Sequence, residues 1–182
     1  MADYYDKSEP YIFEEFQTEI SNAIKPRYIL DVGCGNCKLV NYLAQNNKCN
    51  VFGIDIDSSL FPSPIKNTTY IKGTADKLDT IMLPLITPYK YDVCVSLYTL
   101  HELKNPQIVL NQIYKVLSNQ GVLILIDFPR YSLAEDIYSE YQERYYHPYQ
   151  MRRFIAKAGF EHMRVEMLLG DNLTKVVAMK RR

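Results

Sequence analysis

No stretch of this 182-residue chain approaches the run of ~20 apolar residues that a membrane-spanning helix needs. The opening Met1-Ala2-Asp3-Tyr4-Tyr5-Asp6 lacks the basic and then apolar grading of a signal peptide, so export is not expected. A surplus of charge is missing too: Lys+Arg and Asp+Glu both number 21. Tight nucleic-acid binders draw most of their affinity from basic side chains on phosphates, and only the tail Lys180-Arg181-Arg182 is locally basic. No Pro/Gly/Ser-rich linker, repeat or low-complexity tract divides the chain. Cys34 and Cys37 form one C-x-x-C pair, and a structural zinc site would need a second, so no metal is expected. With four cysteines and no export signal, the reducing cytoplasm is the expected compartment. Tryptophan is absent, whereas 16 tyrosines crowd near the N-terminus and over residues 131–149.

What is present is an alternation of strand-like and helix-like segments, the pattern of a mostly parallel sheet covered by helices. A first helix is predicted from Pro10 to Ile24, with Ile12, Phe16 and Ile20 on one face and Pro26 ending it. Buried strands are predicted at 28–32, 50–55, 68–72, 91–96 and 122–127. A helix over 38–45 follows the first, and a short helix within 76–83 follows the third. Pro62 and Pro64 predict an irregular crossover after the second. Asn105-Pro106 opens a helix whose inward face is Ile108, Val109, Ile113, Val116 and Leu117. Further helices are predicted near 133–145 and from His147-Pro148 to Gly159. Strands 163–169 and 173–179 then form a hairpin about Gly170-Asp171-Asn172.

The most informative segment is Asp31-Val32-Gly33-Cys34-Gly35-Asn36-Cys37-Lys38, set between a strand and a helix. Glycines there permit a sharp turn and close backbone approach to a ligand, and the helix N-terminus offers unpaired N–H groups. Asp55 ends the second strand about 20 residues after Gly35, the spacing of an acid that accepts hydrogen bonds from ribose hydroxyls. A dinucleotide fold would want a third glycine where Lys38 stands, which disfavours a nicotinamide oxidoreductase.

These residues resemble the first motif of class I S-adenosylmethionine-dependent methyltransferases and the acid that follows it. The likeness extends through Gly73-Thr74-Ala75-Asp76-Lys77-Leu78 (the adenine loop) and the stretch from Asp92 to Leu103. Val116 to Leu123, Tyr145 to Pro148 and Ala158-Gly159-Phe160 continue it. The resemblance implies an α/β, single-domain Rossmann-like class I methyltransferase fold over 1–182, with 1–24 as an N-terminal helix and lid. Its sheet would have seven mostly parallel strands in the order 3-2-1-4-5-7-6, with helices on both faces. It also implies that Asp31, Gly33, Cys34 and Gly35 surround the methionine end of the cofactor. Asp55 would hold the ribose, Ile56 pack on adenine, Thr74 and Ala75 meet its edge, and Leu97 line the methyl group. Two positions depart from the family pattern: Cys37 replaces a third glycine, and Thr74 replaces an acid, so either the cofactor is held more weakly than is typical or Asp76 takes the acid's place.

Methyl transfer from a sulfonium has a neutral leaving group, so alignment does much of the work, and a base is needed only for an acceptor that must lose a proton. His101, just after the fourth strand, is the candidate base, with a packing role as the alternative; His147 is expected to cap its helix and His162 to lie at the surface. Tyr11, Tyr98, Tyr138, Tyr141 and Tyr145 are candidate acceptor-binding residues. The last three share one face of the predicted 133–145 helix, and core packing is the competing role. Residues 3–11, with Tyr4, Tyr5 and Tyr11, are expected to fold over the site as a lid. The balanced charge points to a small-molecule acceptor, without nucleic-acid or membrane partners. An RNA or protein methyltransferase with an open site, or a non-catalytic module that binds the cofactor and activates a partner, stands as the alternative.

Overall fold

The computed structural model describes residues 2–130 and 145–181, with side chains from Ser8 onward. Seven strands form one sheet in the order β3-β2-β1-β4-β5-β7-β6. They are β1 (Tyr28–Val32), β2 (Asn50–Asp55), β3 (Thr68–Lys72), β4 (Tyr91–Leu97), β5 (Leu117–Asp127), β6 (Phe160–Leu168) and β7 (Leu173–Lys180). β1 pairs in parallel with β2 and β4, as do β2 with β3 and β4 with β5; β7 runs antiparallel to both β5 and β6. The expected order and the antiparallel last strand are therefore what the chain adopts.

Apolar side chains alternate across the sheet because successive Cβ atoms point to opposite faces. Ile29, Val93, Val95, Ile124 and Val177 pack on one face with α1 (Ala2–Ala23) and α2 (Lys38–Asn46). Leu30, Cys94, Leu123, Leu125 and Val176 pack on the other with α3 (Leu78–Met82), α4 (Pro106–Val116) and α5 (Pro148–Lys157). Ile12, Phe16 and Ile20 are fully buried, as their four-residue spacing predicts. After β2 the chain makes only a 3-10 turn, Ser58–Leu60, capped by Asp57 Oδ1 accepting from Ser59 N–H, before Pro62 and Pro64. His147 caps α5 in a reciprocal box: its ring accepts from Tyr149 N–H, and Gln150 accepts from His147 N–H.

Four expectations need correction. The first helix begins at Ala2 and runs through Pro10, so residues 3–11 are its opening turns and not a separate strap ahead of it. β5 begins at Leu117, which pairs with Tyr91 before the register shifts, so Leu117 belongs to the strand. β6 starts at Phe160, three residues early, and the hairpin pairs from there with an irregularity between Glu161 and Arg164. Ile108 is 44% exposed, because the first turn of α4 overhangs a cavity. The helix expected near 133–145, with Tyr138 and Tyr141, lies outside the described residues except for Tyr145, which is not helical. No helix among the described residues is long and apolar enough to cross a membrane.

Candidate functional site

β1 delivers Asp31 to the carboxyl edge of the sheet, where the chain must turn sharply to start α2. Gly33 takes φ +76° there, and a Cβ on it would stand 2.2 Å from Thr99 Oγ1, so no side chain fits. Gly33 and Cys34 donate their N–H groups to Ile54 O at 2.9 and 3.1 Å, which ties the loop to β2. Gly35 donates to Asp55 Oδ2 at 2.8 Å, and Asp57 N–H reaches Asp55 Oδ1 at 2.9 Å. Asp55 is thereby fixed in orientation while each carboxylate oxygen keeps lone-pair capacity. Cys34 fits beneath the loop because Gly53 leaves the space: a Cβ at 53 would lie 2.8 Å from Cys34 Sγ.

Asp31 is the least compensated group of the site. It is 2% exposed, and its Oδ1 has no hydrogen-bond partner. Burial, reinforced by the charge of Asp55, pushes its carboxyl up to about 8. Such an oxygen is costly unless something cationic or protic meets it.

Two cavities flank the glycine loop. One, of about 450 Å³, is lined by Gly33, Asp55, Ile56, Thr74, Ala75, Asp76, Thr99, Ile108 and Val109, among others. Ile56, 74% exposed, forms part of its wall, and the Thr74 hydroxyl donates to Asp76 Oδ1. The other, of about 230 Å³, is lined by Asp31, Cys34, Gly35, Lys38, Leu97 and Tyr98, with Glu9 and Phe13 reaching in from α1. All nine residues that the sequence nominated for the cofactor line one or the other.

Beyond Leu97 the chain kinks. Tyr98 takes φ +54°, a conformation L side chains rarely adopt, and its ring stacks on Phe128 at 4.7 Å and 9°. His101, 5% exposed, sits beside them with Nδ1 2.6 Å from Asp127 Oδ1. Asp127 is fully buried and also accepts from His101 N–H and Phe128 N–H. A carboxylate so placed accepts the Nδ1 proton, which assigns the acceptor lone pair of the imidazole to Nε2. Tyr145 is in the core at 1% exposure, its ring 5.2 Å from that of His101, so it backs this aromatic wall. Tyr11, 44% exposed, lies in a shallower pocket with Glu9, Pro10, Phe13, Glu14 and Tyr42. Tyr138 and Tyr141 are outside the described residues.

Sequence reasoning missed Asp127 as the partner of His101, Thr99 over Gly33, and Phe13 and Glu9 at the second cavity. The signal for Asp127 is an acid closing β5, the strand next to the one that His101 follows. Among the described residues no group of three or more His, Cys, Asp or Glu side chains is placed to hold a metal ion.

Comparison with known proteins agrees with this architecture. A family model described as a methyltransferase domain matches residues 30–125, just over half of the chain. A protein of Invertebrate iridescent virus 6 whose name calls it a methyltransferase, 235L, is 29% identical over 102 residues, covering 54% of this chain. The chain spans only 36% of that relative's length. The plantazolicin methyltransferase BpumL, solved with S-adenosylhomocysteine, superposes with a TM-score of 0.78 at 17% identity over 100% of this chain and 88% of its own. Human N-acetylserotonin methyltransferase, solved with S-adenosylmethionine, gives 0.68 at 16% identity over 86% of this chain and 48% of its own. At such identities the structures speak for the fold alone, whereas the family model matches through the strand, glycine loop and acid just described. The chain belongs to the methyltransferase-domain family.

Proposed function

We propose that this protein transfers a methyl group from S-adenosylmethionine to a small-molecule acceptor. The observation that carries the reading is the buried, unpartnered Oδ1 of Asp31 at the mouth of a glycine turn whose Gly35 N–H orients Asp55. The residues present fit the cofactor. Asp31 offers a carboxylate oxygen to the ammonium of its methionine end, and Gly33, Cys34 and Gly35 let the backbone come close. Asp55 holds the ribose hydroxyls, and Ile56, Ala75 and Leu97 supply apolar contact on either side. Thr74, held by Asp76, presents a polar edge to the base. When bound, the cofactor supplies a methyl group on a positive sulfur that leaves neutral.

The chain's own part is alignment and proton handling. Tyr98, stacked on Phe128, gives the acceptor an aromatic wall beside Leu97, and α1 screens the opening from water. His101, oriented by Asp127, takes the proton from an acceptor that must lose one. Tyr145 backs the acceptor side, and Tyr11, Tyr138 and Tyr141 are the further tyrosines this reading assigns to the acceptor, the last two lying outside the described residues. At the opening Glu9 pairs with Lys38 at 2.8 Å and Glu14 accepts the Tyr42 hydroxyl, which leaves no cationic surplus there for a phosphate backbone and favours a small acceptor over RNA.

Calorimetry with S-adenosylmethionine, S-adenosylhomocysteine and NAD tests the cofactor directly, with heat expected from the first two only. Asp55→Ala should weaken binding roughly 10²- to 10⁴-fold, the loss of two hydrogen bonds to a charged acceptor at ~1.5–3 kcal/mol each, with the fold retained. Unchanged affinity would remove Asp55 from the ribose. His101→Gln should lower turnover on an acceptor that loses a proton by roughly 10²–10⁴-fold while cofactor affinity holds. Parallel losses of melting temperature and activity would instead assign His101 to packing.

A further inference from the structure

Cys37 is not accounted for by the cofactor reading alone, since a glycine stands at its position in the family pattern. Cys37 sits at φ 60°, ψ 17°, the left-handed region, with a side chain fully buried. Its Sγ lies 3.6 Å from Cys34 Sγ. Cys37 N–H donates to Cys34 O at 2.8 Å, and that turn holds the two Cα atoms within ~7 Å, the range that a disulfide bridges. Cys34 also lines the cavity that Asp31, Gly35 and Leu97 share and keeps 7% exposure, which gives a small oxidant a route to the pair.

We propose that Cys34 and Cys37 form a redox-modified pair, oxidised by a peroxide to a disulfide that disables the glycine loop. The steps balance. Cys34 sulfur attacks one peroxide oxygen, the O–O bond breaks, and water leaves behind a sulfenic acid. Cys37 sulfur then displaces hydroxide from Cys34 sulfur, and the Cys37 thiol proton departs with it as a second water. The two thiols lose two electrons and two protons; the peroxide is reduced to water. The response is slow, because the thiolate is the nucleophile and burial pushes the Cys37 thiol up to about 11 and the Cys34 thiol higher still.

Closure reaches the site through the turn. The sulfurs must approach from 3.6 Å to ~2.05 Å, and Cys34 Sγ is packed against Gly53 beside Val40. The displacement therefore falls on Gly35, whose N–H orients Asp55 at 2.8 Å. Loss of cofactor binding on oxidation rests on the function proposed above; the bond and the loop change do not.

The test treats the whole reduced protein with hydrogen peroxide and follows three readouts. Peptide mass should show a loss of about 2 Da across residues 34–37, reversed by dithiothreitol. Amide exchange at Gly35 should speed by tenfold or more as its bond to Asp55 is lost. The rise in melting temperature given by S-adenosylhomocysteine should shrink on oxidation and return on reduction. Cys37→Gly relieves the left-handed backbone but gives up a buried side chain; it should still fold, and retain that rise after the same peroxide treatment. No cross-link after prolonged exposure overturns the proposal, as does a cross-link that leaves Gly35 exchange unchanged. Equal loss of the ligand response in Cys37→Gly also overturns it. If reduced protein gives no response to S-adenosylhomocysteine, the cofactor reading fails, and mass and Gly35 exchange still decide the pair.

Discussion

Asp31→Asn is expected to raise the melting temperature of the ligand-free protein at pH 7 while weakening its binding of S-adenosylhomocysteine by roughly 10- to 100-fold or more. The opposite signs follow from one cause. In the folded chain the carboxyl is held at about 8 against an ordinary 3.8, by burial and then by Asp55. Between those two values the folded state keeps a proton that the unfolded state releases, so stability falls as pH rises through the window. The penalty at pH 7 is on the order of 4 kcal/mol at most, and a buried amide costs something in its turn, so a net gain of roughly 1–3 kcal/mol is expected. For a domain of this size that is ~2–4 °C per kcal/mol. An ammonium-bearing ligand needs the carboxylate, so binding at pH 7 should expel close to one proton. Calorimetry in buffers of different ionisation heat reads that proton as a slope, which should vanish above pH 9 and in Asp31→Asn. A zero slope at pH 7 together with an unchanged melting temperature would remove Asp31 from the cation's side.

The reach of the sequence ended where long-range register began. The Asp31–Lys38 loop, Asp55 and the His147-Pro148 cap were legible because each is a local pattern whose backbone demands particular residue types. The strand order was not legible from periodicity, and came from resemblance. Asp127 meets His101 only because Leu97 pairs with Ile126 in a parallel register, which sets the residues after β4 level with the end of β5. Twenty-six residues separate the pair in sequence, and no spacing rule covers that gap. Ile108 kept its place in the helical stripe and still lost burial, since periodicity gives a face but not how far the neighbouring layer extends. Pro10 was a fair start signal, yet a helix whose buried face is already anchored by Ile12 and Phe16 continues past it.

Lys175 carries the largest expected effect on stability, and its surroundings were equally invisible to local reading. It sits in β7 at 3% exposure, where an alternating apolar strand would place a hydrophobe. Its Nζ lies 2.7 Å from Glu15 Oε2, 2.8 Å from Glu19 Oε1 and 2.8 Å from Glu166 Oε2, joining α1 to β6 and β7. Arg164 pairs with Glu19 and Glu166 as well, but its side chain is 55% exposed, so screening leaves those contacts worth no more than ~1 kcal/mol. Lys175→Met leaves Glu19, which is almost as buried, with the half-exposed Arg164 as its remaining cation, and is expected to cost about 3 kcal/mol in denaturant unfolding, the low end for a broken buried pair. Arg164→Ala should cost about 1 kcal/mol or less. The pH dependence has a definite sign. Against the cost of burial, hydrogen bonds from Arg164 and Lys175 hold the Glu19 carboxyl below its ordinary 4.5, and that from Lys175 leads for Glu166. Their stabilisation is therefore present above that value and lost as pH falls through the folded one, and in Lys175→Met this acid-side loss should shrink. The same helix brings Glu9 and Phe13 to the cavity at Asp31, so the variant should also bind S-adenosylhomocysteine less tightly. Pairing Lys175→Met with Glu19→Leu removes both buried charges, and should recover much of the stability. A loss below ~1 kcal/mol for Lys175→Met alone would mean that water reaches Glu19 as the lysine goes, and the charges do not clamp α1 to the sheet.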